Sequence, residues 1–158
     1  VKRYIIAPKG LTDGDEVHTS NGGLHVEPNP GNCMPLANIP LGMSVHCVEL
    51  QPKGGAVLCR SAGSYARLMN KEGDYATLVM PSGERRRVPI MCRATIGEVG
   101  NAEHQNRQLG KAGLTRLMGR RPKTRGVAMS HHAHPLGGGS GRSKGNRAPV
   151  NKAGTPAK

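Results

Sequence analysis

The sequence predicts a mainly β protein: a small barrel or sandwich, followed by a long, mostly irregular basic extension that contains one short helix. Three observations carry this. Between Ser44 and Ile90, short apolar runs alternate with Gly- and Pro-containing breakers, giving a turn at roughly 8–12-residue intervals, the rhythm of small all-β folds. The acids stop at Glu103: residues 105–158 hold 12 Lys or Arg and no Asp or Glu, whereas residues 1–104 carry a net charge of only +1. Apolar residues thin out at the same place, with 6 of the 28 Val, Ile and Leu after residue 104. A half that can fold is joined to a cationic half that cannot bury enough surface to fold alone.

The elements follow in chain order. Arg3–Ala7 reads as one strand, stopped by Pro8 and Gly10. A loop-rich stretch follows, with acids at Asp13, Asp15 and Glu16 and turn signals at 21–23 and 29–31. The segment 32–42 contains Pro35 and Pro40 and is expected to be an extended surface loop. The strands proper are SVHCVEL (44–50), AVLCR (56–60), YARLMN (65–70), YATLVM (75–80) and ERRRVPI (84–90), separated by turns at 52–55, 61–64, 71–74 and 81–84. Gly73 in the turn 71–74 marks a hairpin. Pairing Asn70 with Tyr75 would place Ala66, Leu68, Thr77 and Val79 on one face and turn Arg67 outward; a slip by one residue would reverse the faces. After Ile90 the strand pattern ends in a Gly-punctuated loop (91–104). Leu114, Leu117 and Met118 then fall at helical spacing before Gly119, a helix of about nine residues that is too short to stand without a docking surface. No regular structure is expected beyond Arg120 without a partner. The resulting organisation is 1–10, 11–104 and 105–158.

Composition narrows the function. The formal net charge is +13 and the pI about 10.3. Twelve cations without one carboxylate repel each other unless phosphates neutralise them, so nucleic acid is the expected partner. A membrane is not, because no 18-residue apolar run and no long basic amphipathic helix occur. Phe and Trp are absent and there are 3 Tyr, too few for a base-stacking sheet. Neither a long recognition helix nor a zinc finger is present for the DNA major groove. The expected ligand is therefore folded RNA, read through phosphates, 2′-hydroxyls and shape. Gly137, Gly138, Gly139 and Gly141, set among His, Pro and Arg, suit close approach of backbone to that RNA better than a free linker.

Catalytic and metal chemistries fit poorly. GKAG (110–113) lacks both the upstream Gly and the Ser or Thr after Lys of a phosphate loop; those positions are Gln105 and Ala112. The acids are scattered and make no acid/base pair. His131, His132, His134 and His104 match no closed zinc site, and RNA hydrogen bonding suits them better. No cofactor is expected beyond Mg²⁺ that accompanies RNA. The four Cys (33, 47, 59, 92) have irregular spacing and read as small reduced residues. The chain begins with Val1 rather than Met, as a processed or partial chain would.

Seven ordered strings carry a resemblance: RYIIAPKGL (3–11), GN-x-x-PL-x-NIP-x-G (31–42), RSAGSYA (60–66), CRATIGEVGNAEH (92–104), LGKAG (109–113), RP-x-x-RG-x-AM (121–129) and HP-x-GGG-x-GR (134–142). Together they resemble the ribosomal protein L-two family of the large subunit, bacterial-type branch, over nearly the whole chain to about Arg142. The resemblance implies an SH3-like barrel with the RNA-threading extension, preceded in the family by an OB-like barrel of which 1–10 would be a remnant strand. It implies a structural rather than enzymatic role: binding large-subunit rRNA near the peptidyl transferase region, alongside other ribosomal proteins, and supporting subunit association. An SH3-like factor that binds RNA transiently is the alternative.

The RNA-facing residues implied are Arg60, Ser61, Arg93, Asn101, Lys111, Arg121, Arg125, Met129, His134, Gly137, Gly138, Gly139 and Arg142. Charge and position add Arg67, Arg116, Arg120, Lys123, Lys144 and Arg147. Two departures stand beside His134, where the family's Asp and second His are Ala133 and Leu136. Loss of the acid removes a group that would orient the imidazole or raise its pKa, so His134 reads as an RNA-packing residue. These departures, the missing first barrel and the short tail suggest a split or truncated member, hence a mitochondrial rather than a bacterial or chloroplast ribosome, with a separate chain carrying the first barrel.

Overall fold

The computed structural model describes residues 4–20, 26–141, 143 and 146–157. The chain divides into two units, Val1–Arg107 and Gln108–Lys158. The first is mainly β. Its strands are β1 (Cys33–Pro35), β2 (Ser44–His46), β3 (Val48–Glu49), β4 (Ala56–Leu58), β5 (Ala66–Glu72), β6 (Tyr75–Val79), β7 (Arg85–Pro89) and β8 (Arg93–Ile96). Six of them form one antiparallel sheet in the order β1-β8-β2-β5-β6-β7, and β3 pairs with β4 in a separate ribbon. Hydrogen bonding does not close a ring: β1 and β7 are the two edges of the main sheet.

The five strands read from the breaker rhythm are all present, with SVHCVEL divided between β2 and β3. The division falls at Cys47, whose φ of 51° is left-handed and turns the chain out of the main sheet. Cys47 N–H then donates to the Cys59 carbonyl at 3.1 Å, extending the ribbon by one step. β8 was expected to be loop. It is short and followed by Gly97, yet it pairs on both sides, with β1 through Cys33↔Thr95 and with β2 through Val45↔Ile96. The strand expected over 3–7 is not formed at residues 4–7; Pro8 makes an isolated bridge to Val99, and Gly100 N–H donates to Ala7 at 3.0 Å. Arg3 lies outside the described residues.

The segment 32–42 is not a surface loop. Met34, Leu36 and Ile39 are completely or almost completely buried, with a 3-10 turn at Leu36–Asn38 between them. Its prolines stop it forming a longer helix but leave alternating side chains free to enter the core. The remaining core is Val45, Val48, Ala66, Leu68, Ala76, Leu78, Val88, Cys92, Ala94 and Ile96. Each buried Leu, Ile or Val contributes about 1.5–3 kcal/mol. These are mid-sized side chains from every strand but β4; Leu58 of β4 packs against them from a half-buried position.

The hairpin register differs from the one expected. Glu72 pairs with Tyr75 across a two-residue turn, and a bulge falls between Leu68 and Asn70. Ala66 and Leu68 face the core and Arg67 faces out, as expected, but on β6 the inward pair is Ala76 and Leu78 rather than Thr77 and Val79. Gly73, at φ 54°, permits the tight turn, and that turn shifts β6 by two positions along β5. The bulge supplies the remaining one-residue offset.

Among its described residues the second unit contains one α-helix, α1 (Ala112–Leu117), within the expected segment. Among the described residues beyond Arg120, the expectation of no regular structure is modified by a 3-10 turn at Gly126–Ala128 and a bridge between Val150 and Pro156. No described residue of this unit is buried.

Candidate nucleic-acid interface

In the first unit, the sheet alternation that sends Leu68, Leu78 and Val88 inward sends Arg67, Arg85 and Arg87 outward. Arg67, Val79 and Arg85 share one rank across β5, β6 and β7. Two ranks further on, Arg87 stands 5.1 Å from the Tyr75 ring centroid, a cation–π contact at an exposed site. The β6–β7 turn is flanked by two grooves. One, of about 580 Å³, is lined by Tyr65, Arg67, Met69, Val79, Pro81 and Arg85 among others. The other, of about 560 Å³, includes Arg60, Ser61, Ser64, Glu84 and Arg86. Ser64 turns back on Ser61, its Oγ donating to the Ser61 carbonyl at 2.6 Å. Gly63 is required at this bend: it has φ 68°, and a Cβ there would lie 3.0 Å from Ala102 Cα.

Arg93 is placed differently from the exposed arginines. Its guanidinium donates to Glu49 Oε1 at 2.9 and 3.3 Å, and its backbone N–H donates to Glu49 Oε2 at 3.0 Å. Burial pushes the Glu49 carboxyl up, but the Arg93 hydrogen bonds and charge, with a Lys53 backbone N–H, outweigh it and hold the group below the ordinary Glu value. Arg93 thus ties β8 to β3. Asn101 is exposed and left-handed (φ 58°), opening the 3-10 turn Ala102–Asn106.

In the second unit, Lys111, Arg116, Arg120, Arg121, Lys123, Arg125 and Arg147 are all exposed. Arg142 and Lys144 lie outside the described residues. The segment 125–138 is a chain of tight turns. Gly137 N–H donates to His134 O at 2.9 Å and Gly138 N–H to Met129 O at 3.0 Å. A Cβ on Gly137 would collide with the Ser130 and Met129 carbonyls. The backbone approach made by Gly137 is therefore to the protein's own chain, and Gly138 likewise packs on His131. Among the described residues Gly139 meets Ser143, at ordinary contact. The His134 ring lies against Gly126, where a Cβ would strike it. Its Nδ1 accepts the Leu136 N–H at 3.1 Å, which fixes the ring and occupies one nitrogen. Met129 and His134 are each half-buried, and their carbonyls accept from the consecutive Gly138 and Gly137 amides. A cavity of about 380 Å³ in this unit is lined by His131, Pro135, Gly137–Gly139 and Arg147 among others.

Among the described residues no group of three or more His, Cys, Asp or Glu side chains is arranged to hold a metal ion, and no helix is long and apolar enough to cross a membrane. Tyr65, Met69 and Arg85 were not candidates on sequence. ERRRV reads as a solvated face until the register puts Arg85 in one rank with Arg67, across Val79.

The sequence profile described as Ribosomal Proteins L2, C-terminal domain, matches residues 29–154. The chain belongs to this ribosomal protein L2 family. It is 55% identical over 157 residues to the large ribosomal subunit protein uL2 of Rhodopirellula baltica and 54% identical over 157 residues to that of Salinibacter ruber. Each match covers 99% of this chain and 54% of the relative, so the chain spans about half the length of these L2 proteins.

Proposed function

We propose that this L2-family chain is a structural constituent of the large ribosomal subunit. It binds and organises large-subunit rRNA near the peptidyl transferase region and supports subunit association. One observation carries the reading: the second unit has no buried residue among those described, while residues 105–158 hold 12 cations and no acid. Such a unit gains neither hydrophobic burial nor internal ion pairing, so its ordering depends on an external polyanion. The exposed Lys and Arg side chains named above contact phosphates. The turns around Met129 and His134 present a shaped, locally fixed surface to folded RNA. No catalytic step is assigned to the protein; His134 packs, and the chemistry of peptide transfer belongs to RNA.

Arg60, Ser61, Arg67 and Asn101 on the first unit supply further RNA contacts, and Arg93 contributes through its placement by Glu49. The remaining half of the family's length and other ribosomal proteins are the neighbours, whether the former is joined to this chain or carried on another. Both relatives are bacterial, which lends no support to the mitochondrial compartment expected from the sequence; the proposal stops at the large subunit. Co-sedimentation with large subunits through a high-salt wash tests it. Retention is expected although each phosphate contact weakens as salt rises, because a chain threaded into folded RNA cannot leave until that RNA opens. Complete release at moderate salt would favour a factor that binds transiently.

A further inference from the structure

We propose that the groove between the start of β5 and the β6–β7 turn receives one extrahelical nucleotide of RNA, with its base on the apolar floor and its flanking phosphates on Arg67 and Arg85. The proposal rests on the RNA-binding reading above and adds a place and a mode of contact to it.

The groove has three matching parts. Its floor is apolar: Met69, Val79, Met80 and Pro81. Tyr65, 37% exposed, lines the same groove and supplies the aromatic ring that a planar base packs against. Arg67 and Arg85 stand either side of Val79 in one rank, hence about 10 Å apart at the backbone across two strand spacings. Two long flexible side chains at that separation reach successive phosphates of a looped-out nucleotide. Among the described residues neither arginine has an ion-pair partner, and no Asp or Glu lines the groove. The groove across the turn contains Glu84 and lacks this uniform charge.

The volume of about 580 Å³ lies within the range of sites that enclose small ligands, ~300–1,000 Å³. A regular duplex offers such a groove only its phosphates, leaving the Met and Tyr surfaces without a partner. A bulged or loop nucleotide offers a π-face as well, and such unpaired bases are the parts of RNA that proteins read. An acidic peptide would satisfy the arginines but not the apolar floor. Three Tyr are too few for a sheet-wide stacking platform, yet one at a groove serves one base.

The test is ultraviolet crosslinking of the full chain to deproteinised large-subunit rRNA, with adducts located by mass spectrometry, together with the salt dependence of binding. A nucleotide adduct is expected on Tyr65, Met69 or Met80. In the double variant Arg67→Gln/Arg85→Gln, both at exposed strand positions, that adduct should disappear while adducts in 105–158 persist. The slope of log affinity against log salt should fall by about 2. Adducts confined to 105–158 in the wild-type chain, or an unchanged slope in the variant, would overturn the proposal. The first of these readouts does not depend on the variant folding. Failure of the wild-type chain to bind the rRNA would instead sink the RNA-binding reading, and this proposal with it.

Discussion

The two units solve the problem of order in opposite ways. Up to Arg107 the chain sets its apolar side chains at period two, and eight short strands bury them: Leu68, Leu78 and Ile96 are almost wholly removed from water. From Gln108 on, turns and hydrogen bonds give local shape, but Leu117 on α1 remains 84% exposed and no described residue is buried. The first unit is held by its own interior. The second has local geometry without an interior, and its charge points to what completes it. The lesson is that precise turns, as at Gly137, and a hydrophobic core are separable properties of a chain.

The sharpest way to break this contrast is to remove the extension. Deletion of residues 120–158 takes away nine cations. Affinity for large-subunit rRNA at physiological salt should fall on the order of 10³-fold, while the thermal transition of the first unit stays in place. Filter binding and calorimetry on the same preparation read both; an unaltered affinity would refute the division of labour. Next in size is Leu68→Ala, which opens a cavity in the interior and should cost about 2–5 kcal/mol in chemical denaturation. The matched change in the other unit, Leu117→Ala, should cost less than about 0.5 kcal/mol. Equal losses from the two substitutions would show that the second unit possesses a core after all.

Acidification should act on the first unit in two stages. His46 is buried, its Nδ1 3.0 Å from the Gly97 carbonyl; burial pushes its pKa down, against the opposing Gly97 hydrogen bond. Below about pH 6.5 the unfolded state takes up a proton that the folded state refuses, so stability declines by up to about 1.4 kcal/mol per pH unit until the folded imidazole also titrates. Glu49, held down by Arg93, gives stability that is complete above about pH 4.3 and is lost as pH falls through its lower folded value. Denaturation midpoints measured from pH 7.5 to 3 test this. His46→Gln should flatten the first stage and leave the second. A stability that stayed level from pH 7 to 5 would contradict the buried neutral imidazole.

Much of this contrast was legible in the sequence, because it rests on composition and punctuation. The disappearance of acids after Glu103 and the breaker rhythm of 44–90 are one-dimensional signals. What escaped was set by pairing. β8 looked like loop because Thr95 and Ile96 count only beside Cys33 and Val45. Met34, Leu36 and Ile39 looked peripheral because prolines flank them, although proline limits backbone hydrogen bonding and not burial. The β6 face is hidden because a bulge at Met69 cannot be read from hydrophobic alternation. The same shift hid the groove, since Arg67 and Arg85 are 18 positions apart and become neighbours only through Val79.

The unclosed sheet has one further consequence. Its last strand, β7, has no strand partner on its outer side among the described residues, and such an edge invites pairing with a second copy. Arg85, Arg86 and Arg87 line that strand, and all three are exposed. Two copies meeting there would bring like charges face to face along the whole contact. Like-charge repulsion along β7 thereby opposes edge-to-edge pairing of two copies.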